Sequence, residues 1–188
     1  MVMKSLMIAF KLALLSGMLL TVLLLQGCGP AAQVAVKPDF KPPAELDIIY
    51  VVPFSSTLVP DEVKETAFND LVDILNENRK KVGVQQFEII KGELKDQDAT
   101  WLAKQLYISG EFWSYIENAG CCNTELRIRA RVGLTEPGKT VPTFEVTLPL
   151  ESFFDHDRST LEKEKILLAK RLARELAILI IPPLAERR

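Results

Sequence analysis

Between Tyr107 and Leu150 apolar and polar residues alternate over three long stretches, a pattern that few folds accept. Successive strand side chains point to opposite faces, so strict alternation sorts them into a buried face and a wet face. One set is Ile108, Gly110, Phe112 and Ile116, then Leu126, Ile128, Ala130, Val132 and Leu134, then Phe144, Val146, Leu148 and Leu150. The other is Tyr107, Glu111, Trp113, Tyr115 and Glu117, then Glu125, Arg127, Arg129 and Arg131, then Thr143, Glu145 and Thr147. Short breaks at Asn118 to Asn123 and at Glu136-Pro137-Gly138 separate the stretches. The spacing predicts strands near 107–117, 124–134 and 141–150, paired antiparallel in succession.

The preceding segments have other periods. Leu46 to Val52 is a short apolar run that predicts a strand buried on both faces and stopped by Pro53. Pro60-Asp61-Glu62 suits a helix start, Val63, Ala67, Phe68, Leu71, Val72 and Leu75 follow helical spacing, and Gly83 marks the stop. Phe87 to Ile90 reads as a second short strand. Asp96 to Leu106 reads as a shorter helix with Trp101, Leu102 and Leu106 inward. A last helix begins near Ser159-Thr160, where Ser159 and Glu162 fit a capping box, and ends before Pro182-Pro183. Its stripe is Leu161, Leu168, Leu172, Leu176 and Leu179. The order β-α-β-α-β-β-β-α predicts an α/β (α+β) fold. It would have a small mixed sheet of about five strands with two to three helices. One domain is expected over 45–184, followed by a charged tail at 185–188.

The amino terminus sets the compartment. Residues 1–11 carry Lys4 and Lys11 and no acid, residues 12–25 form an apolar run of 14, and Gln26-Gly27-Cys28 follows. A basic start, a short apolar run and small residues before a cut describe a signal peptide, here 1–27. A membrane span needs about 20 apolar residues. The ending Leu25-Gln26-Gly27-Cys28 resembles the bacterial lipobox. That resemblance implies cleavage before Cys28 and its acylation, with palmitate among the chains added. An uncleaved anchor helix over residues 6–25 is the other reading, and both put the domain outside the cytoplasm. By resemblance to enterobacterial sorting, Gly29 after the cysteine implies the outer membrane, facing the periplasm; an inner-membrane anchor is the alternative. Pro30, Pro38, Pro42 and Pro43 make residues 28–44 an extended leash.

The chain carries a net charge of −2. Without Lys4 and Lys11 the mature part holds 21 basic against 25 acidic residues, near −4, which excludes the net basic footprint of a nucleic-acid binder. The wet sheet face holds Trp113, Tyr115, Arg127, Arg129 and Arg131. It reads either as a binding face for carboxylate, phosphate, glycan or lipid headgroup, or as a solvated face of cross-strand Arg–Glu pairs. Cys121-Cys122 sits in a turn, where a strained vicinal disulfide, free thiols and bridges to another chain all stay open. Asp155-His156-Asp157 could touch a divalent ion, but the sequence places no further partners at metal-site spacing. No motif of a hydrolase, zinc protease or nucleotide-binding enzyme occurs, so neither catalysis nor a cofactor is expected.

From about residue 46 to 181 the chain resembles a group of envelope proteins. These are the amino-terminal domain of TolB, the curli-secretion lipoprotein, the lipoprotein activators of peptidoglycan synthases, and the lipoprotein ring of Pel polysaccharide export. The resemblance rests on Ile49-Tyr50-Val51-Val52-Pro53-Phe54, the long helix after it, and Tyr107-Ile108-Ser109-Gly110-Glu111-Phe112 opening the strand meander. It implies a non-catalytic accessory or assembly subunit of an envelope complex, with protein partners and room for a homo-oligomer. It implies no cofactor. The long extra hairpin of the curli pore is absent. A glycan- or lipid-binding module using the Arg/aromatic face is the alternative function.

Overall fold

The computed structural model describes residues 31–38, 40–41, 46–92 and 94–186. The expected signal peptide, Cys28, Pro30, Pro42, Pro43 and the last two residues of the expected tail lie outside them. The described residues form one mixed seven-stranded sheet and four α-helices. The strands are β1 (Gln33–Val36), β2 (Ile48–Val51), β3 (Ser55–Ser56), β4 (Gln86–Ile89), β5 (Tyr107–Ala119), β6 (Asn123–Thr135) and β7 (Phe144–Asp155). The helices are α1 (Asp61–Glu77), α2 (Arg79–Val82), α3 (Ala99–Leu102) and α4 (Leu161–Ala185), with a 3₁₀ turn at Leu94–Asp96.

The sheet order is β1-β7-β6-β5-β2-β4, with β3 also beside β5. The three long strands pair antiparallel in succession, and β2 runs parallel to both β4 and β5. Both crossovers into the parallel part are helical, as parallel neighbours require. On one face α1 and α4 lie side by side. Val63, Ala67, Leu71 and Leu75 of α1 and Leu168, Leu172, Leu176 and Ile180 of α4 are buried there against Ile108, Phe112, Ile128, Val132 and Val146 of the sheet. A smaller cluster on the opposite face packs Val52, Ile90 and Tyr107 with Trp101 and Leu102, so α3 covers only one end of that face.

Several elements depart from the sequence expectation. Four residues of the expected leash form β1, paired antiparallel with Phe144 to Thr147 of β7. The alternation Gln-Val-Ala-Val carries no proline, so every amide there can join a ladder. The expected helix to Gly83 breaks at Asn78. There Asn76 turns its side chain to β4, accepting from the Phe87 amide at 2.9 Å and donating to its carbonyl at 3.0 Å. Gly83 does close the following turn, at φ 78°. The helix expected from Asp96 to Leu106 shrinks to one turn. Asp98 caps it through the Trp101 amide at 2.6 Å, and the Leu106 carbonyl is taken by the Tyr50 amide at 3.1 Å.

The final helix is capped by Thr160, not Ser159. The Thr160 hydroxyl accepts from the Lys163 amide at 3.4 Å, while the Ser159 hydroxyl is buried without a partner among the described residues. That helix also runs through Pro182 and Pro183 to Ala185. Two prolines in the last turn remove bonds to Ile178 and Leu179, but Leu184 beyond them is fully buried, and its burial favours continuing the turn.

Candidate functional site

The three arginines of β6 stand in one row on the sheet face away from α1 and α4. Their cross-strand neighbours follow from the register. Arg131 lies between Glu111 and Thr147, Arg129 between Trp113 and Pro149, and Arg127 between Ile116 and Glu151. Arg127 Nη2 stands 2.6 Å from Glu125 Oε1, and its Nε is 3.4 Å from Glu151 Oε1. Arg131 Nη1 reaches Glu111 at 3.3 Å and its Nε reaches Glu145 at 3.8 Å. The Arg131 guanidinium also lies over the Trp113 ring, 5.3 Å from its centroid. This contact shelters a large ring that is only partly buried. Arg129 makes no ion pair among the described residues. The pairs at Arg127 and Arg131 are solvent-exposed, so each contributes about 0.2–1 kcal/mol.

Tyr115 does not join this row. Between Trp113 and Ile116 the register shifts by one, so that Ser114 and Tyr115 together oppose Ile128. Ser114 takes φ +56°, and the strand beyond it is displaced by one step. Tyr115 and Glu117 therefore point to the helix side and Ile116 to the arginine side, the reverse of what alternation predicts. Tyr115 packs against the main core, and its hydroxyl is 3.5 Å from Glu117. Lys165 of α4 reaches both Glu117 and Glu62 at 3.5 Å, tying β5, α1 and α4 together. Burial, followed by the Glu117 carboxylate, pushes the Tyr115 phenol well above its ordinary range.

The Cys121 and Cys122 sulfurs are unbonded, exposed and 3.3 Å apart. The Cys121 contact pushes the Cys122 thiol up, with burial and the Asp155 carboxylate adding to it. The His156 amide donates to the Cys122 carbonyl at 2.9 Å, and the His156 ring shares a 2.8 Å hydrogen bond with Thr124. Among the described residues no group of three His, Cys, Asp or Glu side chains is placed to hold a metal ion.

One feature is not apparent from the residue pattern. A cleft of about 940 Å³ opens past the carboxyl end of β2, lined by Val52, Phe54, Ser55, Leu94, Leu102 and Gly110 among others. Gly110 is required there. A Cβ on it would stand 2.7 Å from the Arg131 carbonyl oxygen and 2.9 Å from the Phe54 ring. The only sequence signal was Gly110 itself, a glycine inside a strand where another backbone comes close.

No family model matches the sequence, and no curated protein matches it significantly. Solved structures do. PelC from Paraburkholderia phytofirmans, crystallised as a dodecamer, is 14% identical with a TM-score of 0.52, over 82% of this chain and 96% of PelC. A point variant of that dodecamer is 16% identical with a TM-score of 0.51, over 84% of this chain and 98% of the variant. A minor lipoprotein from Acinetobacter baumannii is 13% identical with a TM-score of 0.36, over 72% of this chain and 90% of that one. The likeness to PelC is one of fold. It spans almost the whole of PelC and most of the described chain.

Proposed function

We propose that this chain is a lipoprotein anchored through Cys28 at the periplasmic side of the outer membrane. It acts there as a non-catalytic assembly subunit of an envelope complex. One observation carries the reading: a chain in which residues 1–28 resemble an export signal ending Leu25-Gln26-Gly27-Cys28 has the fold of PelC, which was crystallised as a dodecamer. The same likeness supports self-association into a closed ring, in which each copy offers one surface to the next. Metabolic labelling with palmitate tests the anchor. The protein takes up label, Cys28→Ala abolishes it, and fractionation finds the wild type in membranes. An unlabelled, full-length protein in the cytosol overturns the reading. In-cell crosslinking followed by mass spectrometry tests the assembly, with a ladder of copies or a fixed set of envelope partners as the expected result.

A second reading rests on Arg129. A guanidinium without a carboxylate, beside the partly buried Trp113 ring, suits a glycan or a lipid headgroup carrying an anion. Binding of that kind weakens steeply as salt rises and is lost in Trp113→Ala and Arg129→Ala.

A further inference from the structure

We propose that the outward stripe of α4 lies on an anionic phospholipid bilayer, a placement that rests on the anchored-lipoprotein reading above. From Lys163 to Ile178 the exposed positions of α4 are Lys163, Ile166, Leu167, Lys170, Arg171, Arg174 and Ile178. Four of these seven are cations and none is acidic, in a chain whose net charge is −2; the exposed acid of the helix, Glu162, lies in its first turn, and Glu164 and Glu175 are partly buried. Ile166, Leu167 and Ile178 are 41%, 47% and 57% exposed, although burial is what large aliphatic side chains gain from folding. Cations interleaved with bare aliphatics suit the bilayer interface. The aliphatic groups enter the headgroup boundary while ammonium and guanidinium groups stay at the phosphates.

The path of the chain selects the bilayer over other occupants. β1 fixes Gln33 beside Thr147, and only five residue steps separate Gln33 from Cys28. At about 3.4 Å per step, acyl chains on Cys28 start within roughly 17 Å of that point. β1 borders β7, and α4 returns along β7, where Arg171 donates to the Glu151 carbonyl at 3.3 Å. Ile178 lies about 10 Å farther along the helix, an advance that on β7 reaches roughly Leu148. Val34 pairs with Val146 and Val36 with Phe144, both core-facing, so the two valines point to the helix side. They stay 46% and 54% exposed. The basic stripe and the bare valines thus flank the edge of the domain from which the anchor segment leaves. The acyl chains on Cys28 hold the molecule at the surface, and a basic patch beside them fixes which side of the domain faces the anionic headgroups.

The test uses the full chain purified from membranes, with Cys28 acylation scored by mass spectrometry. Cys121→Ser and Cys122→Ser leave one labelling site, Ile178→Cys, or Glu88→Cys on β4 at the opposite edge as the control. A nitroxide at each is read by its accessibility to oxygen and to a water-soluble nickel chelate. Vesicles contain phosphatidylcholine alone or with phosphatidylglycerol. With phosphatidylglycerol, the label at 178 reports a depth of roughly 5 Å or more into the interface, and the label at 88 stays aqueous. Lys170→Glu with Arg174→Glu returns the 178 label to water. An aqueous 178 label on acylated protein overturns the proposal. So does a 178 label already shielded in detergent without vesicles, which assigns the stripe to a second copy. If the protein proves unacylated, the measurement is repeated with Cys28→Ser so that 178 stays the one labelled site; an immersed 178 label then sinks the lipoprotein reading and leaves the stripe standing.

Discussion

Replacing Gly110 by alanine adds one methyl group where the β6 backbone and the Phe54 ring come close. The added carbon stands 2.7 Å from the Arg131 carbonyl oxygen, 2.9 Å from Phe54 Cε2 and 3.0 Å from Phe54 Cδ2. The Phe54 ring is 7% exposed and wedged between Phe68 and Phe112, with centroids at 5.4 and 5.3 Å, so it has little room to turn away. The Arg131 oxygen belongs to the backbone of β6 and moves only with the sheet. Overpacking of this kind costs about 1–3 kcal/mol. Lower entropy of the unfolded chain returns about 0.4–1 kcal/mol. With two obstacles, one of them backbone, the clash wins and a net loss of about 2 kcal/mol is expected. At an m-value of about 2 kcal/mol/M, the urea midpoint falls by about 1 M. Far-UV circular dichroism and tryptophan fluorescence should report the same shift. Gly138→Ala is the comparison: φ is +76° but nothing lies within 4 Å, so only backbone strain of about 1 kcal/mol opposes it. An unchanged or raised midpoint for Gly110→Ala would falsify the claim that β5 needs a bare position there.

Lys165→Met removes the cation between Glu62 and Glu117, and Lys165 is 16% exposed. A loss of about 1 kcal/mol in thermal unfolding is expected, against under about 0.5 for the exposed Lys163→Met. Asp98→Ala deletes the cap of α3 and costs about 1 kcal/mol, seen as faster amide exchange confined to residues near 99–105. Tyr115 has an alkaline signature. Its folded pKa lies above the ordinary 10.0, so between the two values the unfolded chain holds fewer protons than the folded one. The stability it contributes is present below pH 10 and drains away as pH rises beyond it. Tyr115→Phe should flatten that decline in a series of unfolding curves; an unaltered slope would show that another group carries it.

Alternation made the β5–β6–β7 meander legible, because one side of each strand had to meet the helices. It placed Phe112, Ile128, Val132 and Val146 in the core, where they lie. The same alternation misplaced Tyr115 and Ile116, since a non-glycine residue in the left-handed region leaves no mark on the sequence. β1 was hidden because its four residues sit among prolines and have only the backbone ladder to hold them. The helix beyond Pro182 was missed because local propensity disfavours it, and the burial of Leu184 that overrides propensity is a tertiary effect. Of the candidate face, Trp113, Arg127, Arg129 and Arg131 were readable from period two alone. The cleft was not, because it forms among short segments scattered between Val52 and Gly110.

Ser114 gives the β5–β6 hairpin a spare residue. Deleting it would leave Tyr115 alone opposite Ile128 and Ile116 still opposite Arg127, so every outer position beyond it would keep its side. A deletion between Tyr107 and Trp113 would instead have to be absorbed by the bulge or turn the distal arm of the hairpin inside out. Length variation among related chains should therefore collect at this two-residue bulge.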